Sequence, residues 1–391
     1  MKHAKHVGKG KRNLTSVQEE KCLSKGLQIT YIIIFILFLC TAYTSWYFLQ
    51  DRFEADTTDV ENRNMAELPP LSMENLDGYT RSLESFINDH LPYRSSLIRM
   101  NSILEYSLYK DSPNPDVVIG KEDWLFYNTK INLSAYKGEN LFNEKQLKKI
   151  AKNLQKSKDR LAKEGREFVL FIAPNRARMN ARFMPDFIGP PAEELAVHQM
   201  IDYLSRHTDV KVVFDEDKLL DAQDQYPDKI TYHKTDTHWN EYGAYICTVE
   251  LLKTLGVQMP DYDSSDVTIE ESDDVSGDMA KLMNLQDYYP AGKTYKVTGY
   301  DTHHMEVVES DFYGAVVTKS EGADPRSLFV IRDSFCTAMV DILGSQFQSA
   351  RMVHHEGYKN AMIKEADPDI VVYECAEARI KDLKKWCYDP D

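Results

Sequence analysis

Between Gly26 and Gln50 the chain reads GLQITYIIIFILFLCTAYTSWYFLQ, without a single Asp, Glu, Lys or Arg. About 20 apolar residues in a helix cross the hydrocarbon core of a bilayer, where every backbone polar group must be paired within the segment. The stretch predicts a transmembrane helix over residues 26–50, and the rest of the chain must fold on one side of it or the other. A cleaved signal peptide is the competing reading. Against it, the apolar run is too long and no small-x-small cleavage site precedes DRFEADTTDV.

Residues 1–25 carry seven Lys/Arg against two Asp/Glu. By the positive-inside rule this tail stays in the cytoplasm and residues 51–391 lie outside, a single-pass arrangement in the cell membrane. With a whole-chain charge of −15, everything beyond the tail sums to −20, which excludes nucleic acid as a main ligand. Cys247, Cys336, Cys375 and Cys387 fall outside at no metal-like spacing. Disulfides are permitted there but not required in a chain able to build its own core, and Cys375 with Cys387 is the first pair to test.

A polar, proline-bearing connector follows the span, and residues 51–115 as a whole read as connector plus helical segment. Leu83, Phe86, Ile87, Leu91, Leu97 and Ile98 fall near helical spacing, with a break at Pro92. PDVVIGKEDWLFY alternates like a hairpin around Gly120 to Asp123, ahead of a helix from about Asn143 to Lys163. From there EFVLFIAP, VKVVF, SLFVIRDS, SARMVHH and PDIVVYE are short apolar runs separated by helical stretches, the pattern of buried parallel strands in an α/β sandwich spanning residues 116–391. The pattern fails at about 260–312, which is acidic and turn-rich and reads as an insertion at the sheet edge.

In such folds the crevice lies beyond the carboxyl ends of the strands. Ser334 follows the strand SLFVI there, at a helix start whose free N–H groups suit a developing oxyanion. A serine hydroxyl needs a base that is itself held in place. In TYHKTDTHWNEYGAY, Asp236 and His238 stand two apart, so the carboxylate can fix the imidazole while its other nitrogen reaches a serine. The plainer reading of Asp333-Ser334 is a helix cap, as it is of Thr235 or Asp236 before the helix that follows. A metal clip from His233 and His238, or from Asp301, His303 and His304, is a third option, although no HxH or HExxH array is present.

ENRNMAELP after the membrane span, FINDHLPYR, GKEDWLFY, FIAPNRARMNARFMP, TDTHWNEYGAY, GDMA, VIRDSF and PDIVVYECAEARI occur in an order that resembles the DHHW family. That family is similar to the periplasmic alginate O-acetyltransferases and belongs to the wider SGNH-hydrolase-like group. The resemblance covers roughly residues 51–380. It implies a flavodoxin-like three-layer α/β/α sandwich with a permuted triad order: Ser334 as nucleophile, His238 as base and Asp236 as its orienting acid. No cofactor or metal is implied.

By the same resemblance, an acetyl group passes through the serine to a hydroxyl of a cell-envelope or secreted polysaccharide, and a membrane-bound O-acyltransferase supplies it. An SGNH-type carbohydrate esterase and a non-catalytic assembly or glycan-binding module stay open. Two departures stand out. The second position of the DHHW motif is Thr237, and Arg332 replaces the glycine usual before Asp-Ser. Asn175 is a candidate second oxyanion donor, with an Asx-turn as its plainer role. Trp239 and Trp124 are candidates to stack on sugar rings, and Arg176, Arg178 and Arg332 to meet the polymer; core packing and surface cover are the competing roles.

Overall fold

The computed structural model describes residues 25–53, 65–70, 76–90, 93–300, 303–311 and 314–389. Most of the basic tail, part of the connector, Leu91, Pro92 and Asp301 lie outside the described residues. The chain divides into two units, Met1–Leu97 and Ile98–Asp391.

In the first unit, Lys25–Phe53 is one continuous helix. Its stretch Gly26–Ser45 has mean hydropathy 2.0 and is long and apolar enough to cross a membrane. Leu76–Asp89 is a second helix. A third helix spans Arg94–Tyr109.

In the second unit β1 (Val117–Ile119) and β2 (Leu125–Tyr127) form the expected hairpin. β3 (Glu167–Ala173) and β4 (Lys211–Val213) follow, then an antiparallel pair, β5 (Thr268–Asp273) and β6 (Lys293–Thr298). β7 (Met305–Ser310), β8 (Ala315–Ser320), β9 (Asp324–Arg332), β10 (Phe347–His354) and β11 (Ile370–Ala376) complete the set. The main sheet has the order β4-β3-β11-β9-β10-β8-β7. It is parallel from β4 to β10, as their unbroken apolar runs require, but β8 and β7 are antiparallel and make the sheet mixed. The acidic segment read as an insertion thus divides: β7 extends the sheet edge, while β5, β6 and the short helix Asp278–Leu282 lie apart from the sheet.

Strand alternation sends side chains to two faces. Val169, Phe171, Leu328, Val330 and Val372 join one core with the helices Glu241–Thr254 and Val340–Gln346. Phe168, Leu170, Phe329, Ile331 and Val371 join the other with the helices Glu144–Lys163 and Ala196–His207. The first of these last two starts at Asn143, whose side chain accepts from Gln146 N while Gln146 returns the bond, a reciprocal capping box. The result is an α/β/α sandwich.

Two expectations are corrected by burial. The five cysteines among the described residues are all free: Cys375 is buried in β11, and Cys387 shares no bridge with it. Trp124 is 1% exposed, its ring stacked 4.6 Å from that of Phe183 with the planes nearly parallel, so no face is open to a sugar. Trp124→Ala is therefore expected to lower stability by about 3–5 kcal/mol, the cost of emptying a packed aromatic site. A urea titration checks this; a loss below about 1 kcal/mol would show that the ring is not core.

Candidate active site

β9 ends at Arg332, and the chain turns into a 3-10 helix, Ser334–Met339. Asp333 sets that turn. Its Oδ1 accepts from Phe335 N (2.9 Å), its Oδ2 from Ala376 N (2.7 Å), and its own N–H donates to Glu374 Oε2 (2.7 Å). Asp333 is thus the cap that its position suggested, and it also ties the turn to the end of β11. Burial, followed by the charge of Asp333, pushes the Glu374 carboxyl well above its ordinary range.

The opposing loop folds back on itself through a bridge between Tyr232 and Trp239 and a bond from His233 N to His238 O. It enters the helix Glu241–Thr254 capped by Asn240, whose side chain accepts from Gly243 N; neither Thr235 nor Asp236 is the cap. Inside the loop, Asp236 Oδ1 meets His238 Nδ1 at 2.6 Å and accepts from His238 N at 3.0 Å. His238 Nε2 lies 2.7 Å from Ser334 Oγ. The fold thus brings Asp236, His238 and Ser334 into one hydrogen-bonded row. Burial would lower the His238 pKa, but the hydrogen bond and charge of Asp236, with the charges of Asp278 and Asp333, outweigh it and raise it above the ordinary value. On Asp236, burial acts upward, and the hydrogen bond and charge of His238 win and hold it well below the carboxylate range.

Sequence reasoning assigned no role to Asp278, although GDMA was among the blocks carrying the resemblance. Asp278 N donates to Asp236 Oδ2 (3.0 Å). Its carboxylate accepts from Thr237 N (2.9 Å) and from the Thr237 hydroxyl, so the departure at Thr237 supplies a fitted donor. Burial first, then the charge of Asp236, raise the Asp278 pKa. Asp236, His238 and Asp278 offer ligand atoms within 4.8 Å of one another, close enough to hold a metal ion, but in this arrangement both carboxylates are already taken up by protein hydrogen bonds.

The other candidates have structural roles. Trp239 is 1% exposed and donates its indole N–H to Phe335 O at 2.9 Å, tying the base loop to the serine turn. Arg176, expected to meet a polymer, is buried against the rings of Trp124 and Phe126. It donates to Leu125 O, His233 O (2.8 Å) and Lys234 O (2.9 Å), and burial lowers its pKa to about 10 against the opposing pull of Asp278 and Asp236. Arg178 is paired with Glu216. Arg332 is 1% exposed and donates to Asp333 O at 3.3 Å. Asn175 is not among the residues that line the cleft; its side-chain oxygen accepts from Ala177 N and Arg178 N as a helix cap, the plainer role its position suggested.

The row opens into a cleft of about 380 Å³ lined by His233, Asp236, His238, Asp274, Ser276, Ser334 and Thr337 among others. Gly277 lies where the two loops meet: a Cβ there would fall 2.4 Å from Asp236 Cβ and 2.5 Å from Thr235 O. Gly277→Ala is expected to displace Asp236 and slow labelling of Ser334 by a serine-directed phosphonate about 100-fold, the usual cost of misplacing a reacting group by roughly 1 Å. A folded Gly277→Ala protein labelled at the wild-type rate would show that this contact does not position Asp236.

A family model described as the SGNH hydrolase-like domain of acetyltransferase AlgX matches residues 117–314, which include Asp236, His238 and Asp278 and end before Ser334. Among curated relatives, a probable alginate O-acetylase AlgJ from Pseudomonas syringae pv. tomato is 24% identical over 242 residues, 61% of this chain and 55% of that protein. The protein of the same name from Pseudomonas aeruginosa is 28% identical over 166 residues, 42% and 39% of the two chains. The chain spans about half the length of the curated relatives it matches. Among solved structures, a DHHW family protein from Eubacterium siraeum has 14% identity and a TM-score of 0.49, covering 69% of this chain and 94% of that one. The O-acetyltransferase domain of Pseudomonas putida AlgJ has 18% identity and a TM-score of 0.43, covering 71% and 96%. With the model matching just over half of its residues, the chain belongs to the AlgX-type SGNH hydrolase-like acetyltransferase family.

Proposed function

We propose that this chain is a membrane-anchored O-acetyltransferase that acts outside the cytoplasm on a polysaccharide. The observation that carries the reading is the row Asp236–His238–Ser334, with contacts of 2.6 and 2.7 Å. The names of the AlgJ relatives support the reaction and the acceptor class. The apolar helix Gly26–Ser45 supports the anchor, and the basic tail before it supports an outward-facing domain.

In the proposed reaction Ser334 Oγ attacks the carbonyl carbon of an acetyl donor while its proton passes to His238 Nε2. The tetrahedral oxyanion is met by the Ser334 N–H at the head of the turn. The intermediate collapses with loss of the donor's leaving group, which takes the proton from His238, and leaves acetyl-Ser334. A sugar hydroxyl then attacks this ester and gives its proton to His238. Breakdown of the second intermediate frees Ser334, reprotonated from His238, and the acetylated sugar. Asp236 does not take up the proton; it holds the imidazole in the tautomer with Nδ1–H and stabilises the imidazolium. A membrane-bound O-acyltransferase would supply the acetyl group.

Ser334→Ala is expected to abolish acetyl transfer to the polysaccharide and release of p-nitrophenol from p-nitrophenyl acetate. Asp236→Asn is expected to lower kcat on the order of 10²- to 10⁴-fold. It also has a pH signature. His238 must be neutral to act as base, and Asp236 raises its pKa, so activity in the wild type appears only as pH rises through that raised value. Without the carboxylate, the hydrogen bond to the anion and its charge are lost and the imidazole pKa falls from its wild-type value, so the acidic limb of the residual activity moves to lower pH. A limb that stays put or moves up would refute this assignment of Asp236.

A further inference from the structure

The motif TYHKTDTHW holds a second histidine five positions before the first, and the mechanism does not use it. His233 lines the same cleft as Ser334. Its Nδ1 lies 2.7 Å from Asp274 Oδ2; the imidazole is 26% exposed and the carboxylate 3%. Asp274 is itself fixed, with its N–H on Gly292 O (3.1 Å) and its Oδ1 accepting from Val275 N (2.8 Å). The His233 backbone is held on both sides, its N–H by His238 O and its carbonyl by Arg176. A carboxylate on Nδ1 selects the tautomer that bears a proton there, so Nε2 is a hydrogen-bond acceptor. Beside it along the chain from Asp274, Ser276 contributes to the cleft wall, and its Oγ is buried without a hydrogen-bond partner in the protein.

We propose that His233, oriented by Asp274, and Ser276 form the acceptor subsite, which takes a second hydroxyl of the sugar whose reacting hydroxyl is presented to His238. The ligand class is a polyhydroxylated glycosyl acceptor, as opposed to water or a monohydric alcohol. The inference rests on the proposed acetyl transfer at Ser334 and extends it to the choice of acceptor. Acetyl-Ser334 is open to attack by water as well as by sugar, and hydrogen bonds made only to the sugar favour the transfer branch. A polar group poised for a hydroxyl and left empty is also unsatisfied when a simple alcohol occupies the site, which sharpens the discrimination.

The test uses the full chain in detergent with p-nitrophenyl acetate as donor and a methyl hexopyranoside or methanol as acceptor. The readout is acetyl transferred per p-nitrophenol released. For the wild type the glycoside is expected to capture acetyl in preference to methanol. In His233→Gln and Asp274→Asn the transfer-to-release ratio with the glycoside is expected to fall roughly tenfold, with a raised glycoside KM, while the ratio with methanol moves little. Unchanged glycoside ratios would overturn the proposal. So would an equal fall of transfer and p-nitrophenol release, which would make His233 a support for the triad. Should the His233 and Asp274 variants fail to fold, Ser276→Ala decides: a raised glycoside KM supports the subsite and a wild-type KM refutes it. Ser334→Ala separates the two readings, since p-nitrophenol release that survives it defeats acetyl transfer at Ser334 whatever His233 does.

Discussion

The hydrogen bond from the Trp239 indole N–H to the Phe335 carbonyl joins the two halves of the site. His238 and Ser334 sit on different elements, 96 positions apart in the chain. Their immediate neighbours Trp239 and Phe335 are in contact, with ring centroids 5.4 Å apart and edge to face, so the alignment of imidazole and hydroxyl follows from a packed pair and not from side-chain freedom alone. Each partner is then fixed from its own side. Asp333 ties the serine turn to β11, and Arg176 ties the base loop to β2 through backbone carbonyls.

Electrostatics explains why a guanidinium lies underneath. Asp236 and Asp278 are close enough that the charge of the first raises the pKa of the second. Arg176, buried on the faces of Trp124 and Phe126, returns a positive potential to both carboxylates without touching either, and its two terminal nitrogens donate to carbonyls that shape the loop. A cation at this depth can be kept only because most of its donors are met and aromatic faces cover it.

How much of this was legible depends on residue type. Apolar runs such as EFVLFIA and PDIVVYE can be little else than buried strands, so the central sheet could be read directly, and Ser334 was found because a strand must end where it begins its turn. Asp236 and His238 were nominated by spacing within a single loop. Asp278 and Asp274 were not, because each acts across some forty residues from within a segment whose acidic composition looks like solvated surface. Trp124, Arg176 and Arg332 show the reverse failure. An aromatic ring or a guanidinium has the same chemistry whether it faces a sugar or a core, and only the fold decides which.

The segment bearing Asp274, Gly277 and Asp278 reaches back about forty positions to hold His233 and Asp236, and the serine arrives later still. As the chain is made from its N-terminus, the histidine loop with Asp236 emerges first, Asp274 and Asp278 next and Ser334 last. Until these distant pieces close, the hydroxyl is as inert as that of any free serine. The hydrogen-bonded row therefore exists only once the whole stretch from Tyr232 to Phe335 has folded.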